Sequence, residues 1–222
     1  MKKLTFLAIT LILIANASAQ NQIRIKAGYQ GTYTAIAEYR QPGKGIYLDT
    51  VELNKQVYGP VAMLEIDMEL GKRFLLVTGF GYDRKGLKEI TYTDVFGMTN
   101  SKEARQNYMG IHMQIKYHYR FSDSKAGLFL ATGPKVDFAI GGSNYSEFSL
   151  APGYDYYHTF GSFNVVEFLW YTNLGVSYRI GPGELIFDAH ILNGLSDAIR
   201  NRYIIGKTTS FGASAGYSLY LN

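Results

Sequence analysis

The feature that most constrains this chain is a period of two, repeated in eight segments between Ile23 and Leu221. In each segment apolar or aromatic residues alternate with polar ones, the mark of strands whose two faces meet different surroundings. The segments run over 23–34, 62–70, 74–84, 108–121, 128–140, 166–180, 184–192 and 211–221. The fourth is the clearest: Ile111, Met113, Ile115, Tyr117, Tyr119 and Phe121 alternate with His112, Gln114, Lys116, His118 and Arg120. In the second, Leu64, Ile66, Met68 and Leu70 share one face and Glu65, Asp67 and Glu69 the other.

The connections alternate as well. Gly71-Lys72-Arg73, Ser122 to Gly127 and Gly181-Pro182-Gly183 are short and rich in residues that take turn dihedrals cheaply. The other connections, 35–61, 85–107, 141–165 and 193–207, are long. Short turns at one end and long loops at the other are the pattern of outer-membrane barrels, with the turns periplasmic and the loops outside. An even strand count also returns the C-terminus to the side of the N-terminus. The expected fold is therefore all-β, an eight-stranded antiparallel transmembrane barrel of up-and-down meander topology, over residues 20–222.

A soluble carrier barrel of the lipocalin kind also alternates, with its polarity reversed. The chemistry of the polar face separates the two. Arg24, Lys26, Glu65, Asp67, Glu69, Lys116, Arg120, Lys135, Asp137, Glu167, Arg179 and Asp188 share it, six basic and six acidic residues. Opposite charges in equal number suit a small enclosed bore where they pair. The other face is rich in Leu, Ile, Val and aromatics, as contact with acyl chains requires. Tyr117, Tyr119 and Phe121 lie beside a turn, and Trp170, Tyr82 and Tyr33 lie towards the long loops, where two aromatic girdles belong.

Residues 1–19 read as an export signal, with Lys2 and Lys3, an apolar run from Leu4 to Ala15, and Ala17-Ser18-Ala19 as the cleavage site. Without those two lysines, 20 basic residues face 18 acidic ones, so nothing in the charge points to nucleic acid. The absence of Cys excludes disulfides, thiolate metal sites and a cysteine nucleophile. No cofactor is expected.

The segments also carry a resemblance. Ile25-Lys26-Ala27-Gly28, the stretch Gly79 to Gly86, Asn107-Tyr108 with Ile115-Lys116-Tyr117, Leu130 to Pro134, and Asn193 to Asp197 resemble successive strands of the PorT-like, porin-family outer-membrane β-barrel proteins. The resemblance implies an eight-stranded outer-membrane barrel and no single activity; the secretion role of one relative is not carried over. The end of the chain departs from the final aromatic that barrel-insertion machinery favours, since Leu221 and Asn222 follow Tyr220.

Three constellations bear on function. The inward charges suggest either a channel or a network that plugs the bore, and eight strands leave a bore that side chains fill. Arg24 and Lys26 fall beside Glu65, Asp67 and Glu69 on the next strand, as cross-strand pairing requires. His112 and His118 are separated by about 20 Å of strand, too far for one metal ion. Asp188 and His190 with Ser214 or Ser218 suggest a hydrolase, although no motif fixes the nucleophile. Finally, Tyr145, Tyr154, Tyr156 and Tyr157 crowd one long connection, as adaptable binding surfaces do.

The expected function is a non-enzymatic outer-membrane protein with a structural or surface-interaction role and a bore filled by paired charges. A narrow porin and a lipid-modifying barrel enzyme are the alternatives. Expected partners are outer-membrane lipid, the insertion machinery and an extracellular or envelope protein. Both termini are expected in the periplasm.

Overall fold

The computed structural model of the protein describes residues 22–39, 51–93, 99–122, 124–148, 164–197, 199–200 and 204–221. The export segment lies outside them, as do Tyr154, Tyr156 and Tyr157. The described residues are strand and turn without a helix. The strands are β1 (Gln22–Tyr39), β2 (Val51–Lys55), β3 (Val57–Glu69), β4 (Phe74–Thr93), β5 (Thr99–Arg120), β6 (Ala126–Phe148), β7 (Val166–Ile180), β8 (Gly183–Gly194), β9 (Ile199–Arg200) and β10 (Ile204–Tyr220).

Neighbours in the chain pair antiparallel in the order β1, β3, β4, β5, β6, β7, β8, β10, and β10 pairs back onto β1. The result is a closed eight-stranded meander barrel. The closing seam is long, with Gln22 opposite Tyr220 at one end and Tyr39 opposite Ile204 at the other. The short β2 and β9 continue the wall, β2 on β4 and β9 on β10. Among the described residues, closure gives each of the eight strands a partner on both sides, which a sheet in hydrocarbon requires.

The alternation maps onto inside and outside. Along β7 Glu167, Leu169, Tyr171, Asn173, Gly175 and Ser177 are buried, while Phe168, Trp170, Leu174, Val176 and Tyr178 are exposed. Glu65 and Lys116 are buried and Ile115 is exposed in the same sense. The outer wall is a continuous field of Ile25, Phe80, Ile111, Met113, Leu130 and Phe187, each about half exposed or more. Apolar exposure on this scale marks a surface that meets lipid.

Turn chemistry sets one end of the barrel. Ile180 pairs with Gly183 across Gly181 and Pro182. Gly181 has φ of 60°, the positive value that a two-residue hairpin of the primed type needs at its first central position. Residues 70–73 make a second short turn, and a third joins β5 to β6 between Arg120 and Ala126.

At the opposite end the strands outrun the alternation. Residues 85–93 and 99–107, read from the sequence as connection, are strand, and β4 and β5 pair as far as Thr93 and Thr99. β4, β5 and β6 hold 20, 22 and 23 residues, roughly twice the ~9–11 of one membrane crossing. Tyr145, expected in a loop, lies on β6 opposite Glu103. The β6–β7 ladder stops at Phe138 and Val166, so β6 climbs beyond it on β5 alone among the described strands. A bulge at Asn107 and Tyr108 shifts the register.

Candidate functional site

Among the described residues the bore is filled by side chains in layers. The lower layer, towards the short turns, is a charge network. Arg24 from β1 binds Glu65 at 2.9 Å and also Asp67, both on β3. Lys26 stands 2.9 Å from Glu65 and 3.2 Å from Asp188 of β8. Lys116 of β5 donates to Asp67 at 2.9 Å. Three cations therefore meet three carboxylates, all buried. Register creates this layer: Arg24 sits opposite Glu65 in the β1–β3 ladder. Phe129 floors it, with Lys116 Nζ 4.7 Å and the Arg24 guanidinium 5.9 Å from its ring centre. Such contacts add cation–π attraction where water is excluded.

The upper layer is a second network. Lys85 of β4 donates to Asp137 at 2.5 Å and to Glu167 at 2.7 Å. Lys135 stands 2.9 Å from Asp137 and also binds Asp83. Thr208 of β10 caps Glu167. The Tyr108 ring lies under Lys85 Nζ, 4.6 Å away. Gly110 makes room, since a Cβ there would come within 1.8 Å of Asp137 Oδ1. Two lysines here serve three carboxylates.

Between the layers lies an apolar septum of Val61, Met63, Leu169, Tyr171 and Leu192. Its place follows from strand order: on β7 Leu169 and Tyr171 come between Glu167 above and Asn173 below. The Tyr171 hydroxyl spans the bore to Met63 Sδ at 3.4 Å. Its ring is met edge-on by His112 at 5.5 Å and His190 at 5.9 Å. An ion crossing this layer would lose most of its hydration against apolar side chains.

Of the charges expected inside, Arg24, Lys26, Glu65, Asp67, Lys116, Lys135, Asp137, Glu167 and Asp188 are buried in the two networks. Glu69, Arg120 and Arg179 are exposed at the turn end instead, because the inward face reaches the rim there. Arg120 binds Glu184 at 2.6 Å, and Arg179 lies 5.2 Å over the Tyr220 ring. Sequence reasoning left out Asp83 and Lys85 of the upper network and Glu184 at the rim. Asp83 and Glu184 share the inward parity of their strands and were findable by it. Lys85 lies where the strand had been ended too early.

The hydrolase constellation comes together in the wrong order. Ser214 Oγ donates to Asp188 Oδ1 at 2.8 Å, and His190 Nδ1 stands 3.5 Å from the same oxygen. A nucleophile needs its hydroxyl on the imidazole, with the carboxylate behind it. Here the carboxylate takes both, and His190 is buried. His118 is elsewhere, on Ser177 at 3.0 Å.

Comparison with known proteins agrees with the architecture. The profile of the family described as "Outer membrane protein beta-barrel domain" matches residues 15–200. No curated protein matches the chain. Among solved structures, the Neisserial surface protein NspA aligns over 90% of this chain and 96% of its own at 13% identity, TM-score 0.46. The attachment invasion locus protein Ail of Yersinia pestis, in complex with the heparin analogue sucrose octasulfate, aligns over 90% and 100% at 13% identity, TM-score 0.41. The outer membrane protease OmpT from Escherichia coli aligns over 93% and 98% at 10% identity, TM-score 0.42.

Proposed function

Because the chain belongs to the outer membrane protein β-barrel domain family of the bacterial outer membrane, we propose that it is a sealed, non-enzymatic barrel whose work is done at its surface. One observation carries this reading: the apolar septum between two internally bonded ion networks. A porin needs a continuous wet path, and a barrel hydrolase needs a reachable nucleophile on a base. The septum opposes the first, and the bonding of Ser214 to Asp188 opposes the second.

The working surface in this reading is the end where β4, β5 and β6 outrun a membrane crossing. That end faces outward if the short turns and both termini are periplasmic. Its partner is then an extracellular or envelope protein, and the lipid and insertion machinery serve only to place the barrel. The narrower PorT-like kinship rests on the motifs named above. Planar-bilayer recording of the refolded protein tests the proposal. The expected trace stays closed at all voltages; a steady open state of defined conductance would overturn it and favour the narrow porin.

A further inference from the structure

The outer rim at the turn end carries a cationic cluster that the sealed bore does not use. Phe74 and Tyr117 pack with ring centres 5.3 Å apart on adjacent strands, and Tyr119 meets Phe121 edge-on at 5.5 Å. Arg73 lies across this aromatic row. Its guanidinium sits 5.5 Å over the Tyr119 ring and donates to the Tyr117 hydroxyl at 3.3 Å. The arginine is thus held on the outer wall with further N–H donors free of the ring, a fork that matches phosphate. Lys72 in the same turn and Lys125 in the next short turn are exposed. The wall beneath is apolar, with Ile115, Leu128 and Leu130 each more than two-fifths exposed. Acyl chains on that wall place a headgroup at the height of the rings and the cations. Aromatic side chains prefer this level of a bilayer, and Lys and Arg beside it attract anionic lipid.

We propose that Arg73, seated on Tyr117 and Tyr119, binds the phosphate of an anionic phospholipid together with the exposed Lys72 and Lys125 of the two short turns. From the preceding reading this takes only that the turn end meets the phospholipid leaflet. Arg73 and Lys72 also border a recess of roughly 190 Å³ with His118 and Arg120. A free anion held there is the competing source of the same chemistry.

The test is the thermal unfolding midpoint of the full barrel in neutral detergent, titrated separately with phosphatidylglycerol, phosphatidylcholine and inorganic phosphate. Phosphatidylglycerol is expected to raise the midpoint saturably, and the other two are not. The combined Lys72→Gln, Arg73→Gln, Lys125→Gln variant should need at least fivefold more phosphatidylglycerol. Arg73→Lys should fall between, and Lys207→Gln at the opposite end should behave as the parent. Equal response to both lipids, or an unchanged triple variant, overturns the site. A matching response to inorganic phosphate moves the binding to the recess and overturns the lipid assignment. Since the titration is done in micelles, it stands or falls apart from conductance and orientation.

Discussion

Lys85 is the residue on which the upper network turns. It joins Asp137 and Glu167 at once, and all three are buried. Lys85→Met leaves two carboxylates facing each other without their shared cation. Breaking a buried pair in this way costs about 3–5 kcal/mol, read as a fall in the urea unfolding midpoint. Arg120→Gln removes a bond of similar length, but its side chain is 43% exposed. Its partner Glu184 is buried and keeps only the Tyr220 hydroxyl, so the expected cost is about 1–3 kcal/mol, below that of Lys85→Met. Asp83 is the opposite case. The network holds one carboxylate more than it has lysines, and Lys135 keeps Asp137 at 2.9 Å without Asp83. Asp83→Asn is expected to leave the unfolding free energy within roughly 1 kcal/mol of the parent or to raise it. A loss as large as that of Lys85→Met would show that the excess charge is needed.

At the level of strands, the structure separates what crosses from what protrudes. Lys88 pairs with Glu103 well beyond the register of the neighbouring ladder. Replacing residues 89–102 by Asn-Gly should therefore close a tight hairpin, removing the part of β4 that β2 pairs with but sparing the eight-stranded wall below it. The shortened protein is expected to keep the heat-modifiable migration of a folded barrel on gels. Loss of that shift would place the upper hairpin in the folding core. The same boundary explains how much the sequence revealed. Strands with lipid on one face and packed charge on the other alternate strictly, so 166–180 was legible to the residue. Above the lipid that contrast fades, and the reading stopped at Arg84 although β4 continues to Thr93. Lys85 was lost from the network for that reason. The septum was hidden differently. Leu169 and Tyr171 sit on the polar face by parity, but only the three-dimensional stacking of β3, β7 and β8 shows that they meet.

The molecule as a whole is a plugged cylinder with charge above, charge below and an apolar layer between. The plug fixes register, since a one-residue slip would send every ion outward into lipid. What remains for function is the outside: the protruding strands, and the cationic rim beside the aromatic row. The central claim is the dryness of the middle layer, and a chain without Cys lets it be read residue by residue. The most direct measurement is the reaction of single cysteines with a charged, membrane-impermeant thiol reagent in the reconstituted barrel. Leu169→Cys and Leu192→Cys should stay unmodified while Lys125→Cys on the exposed turn reacts at once. Modification of Leu192→Cys at the rate of the turn position would mean that water fills the bore, and the sealed barrel would be wrong.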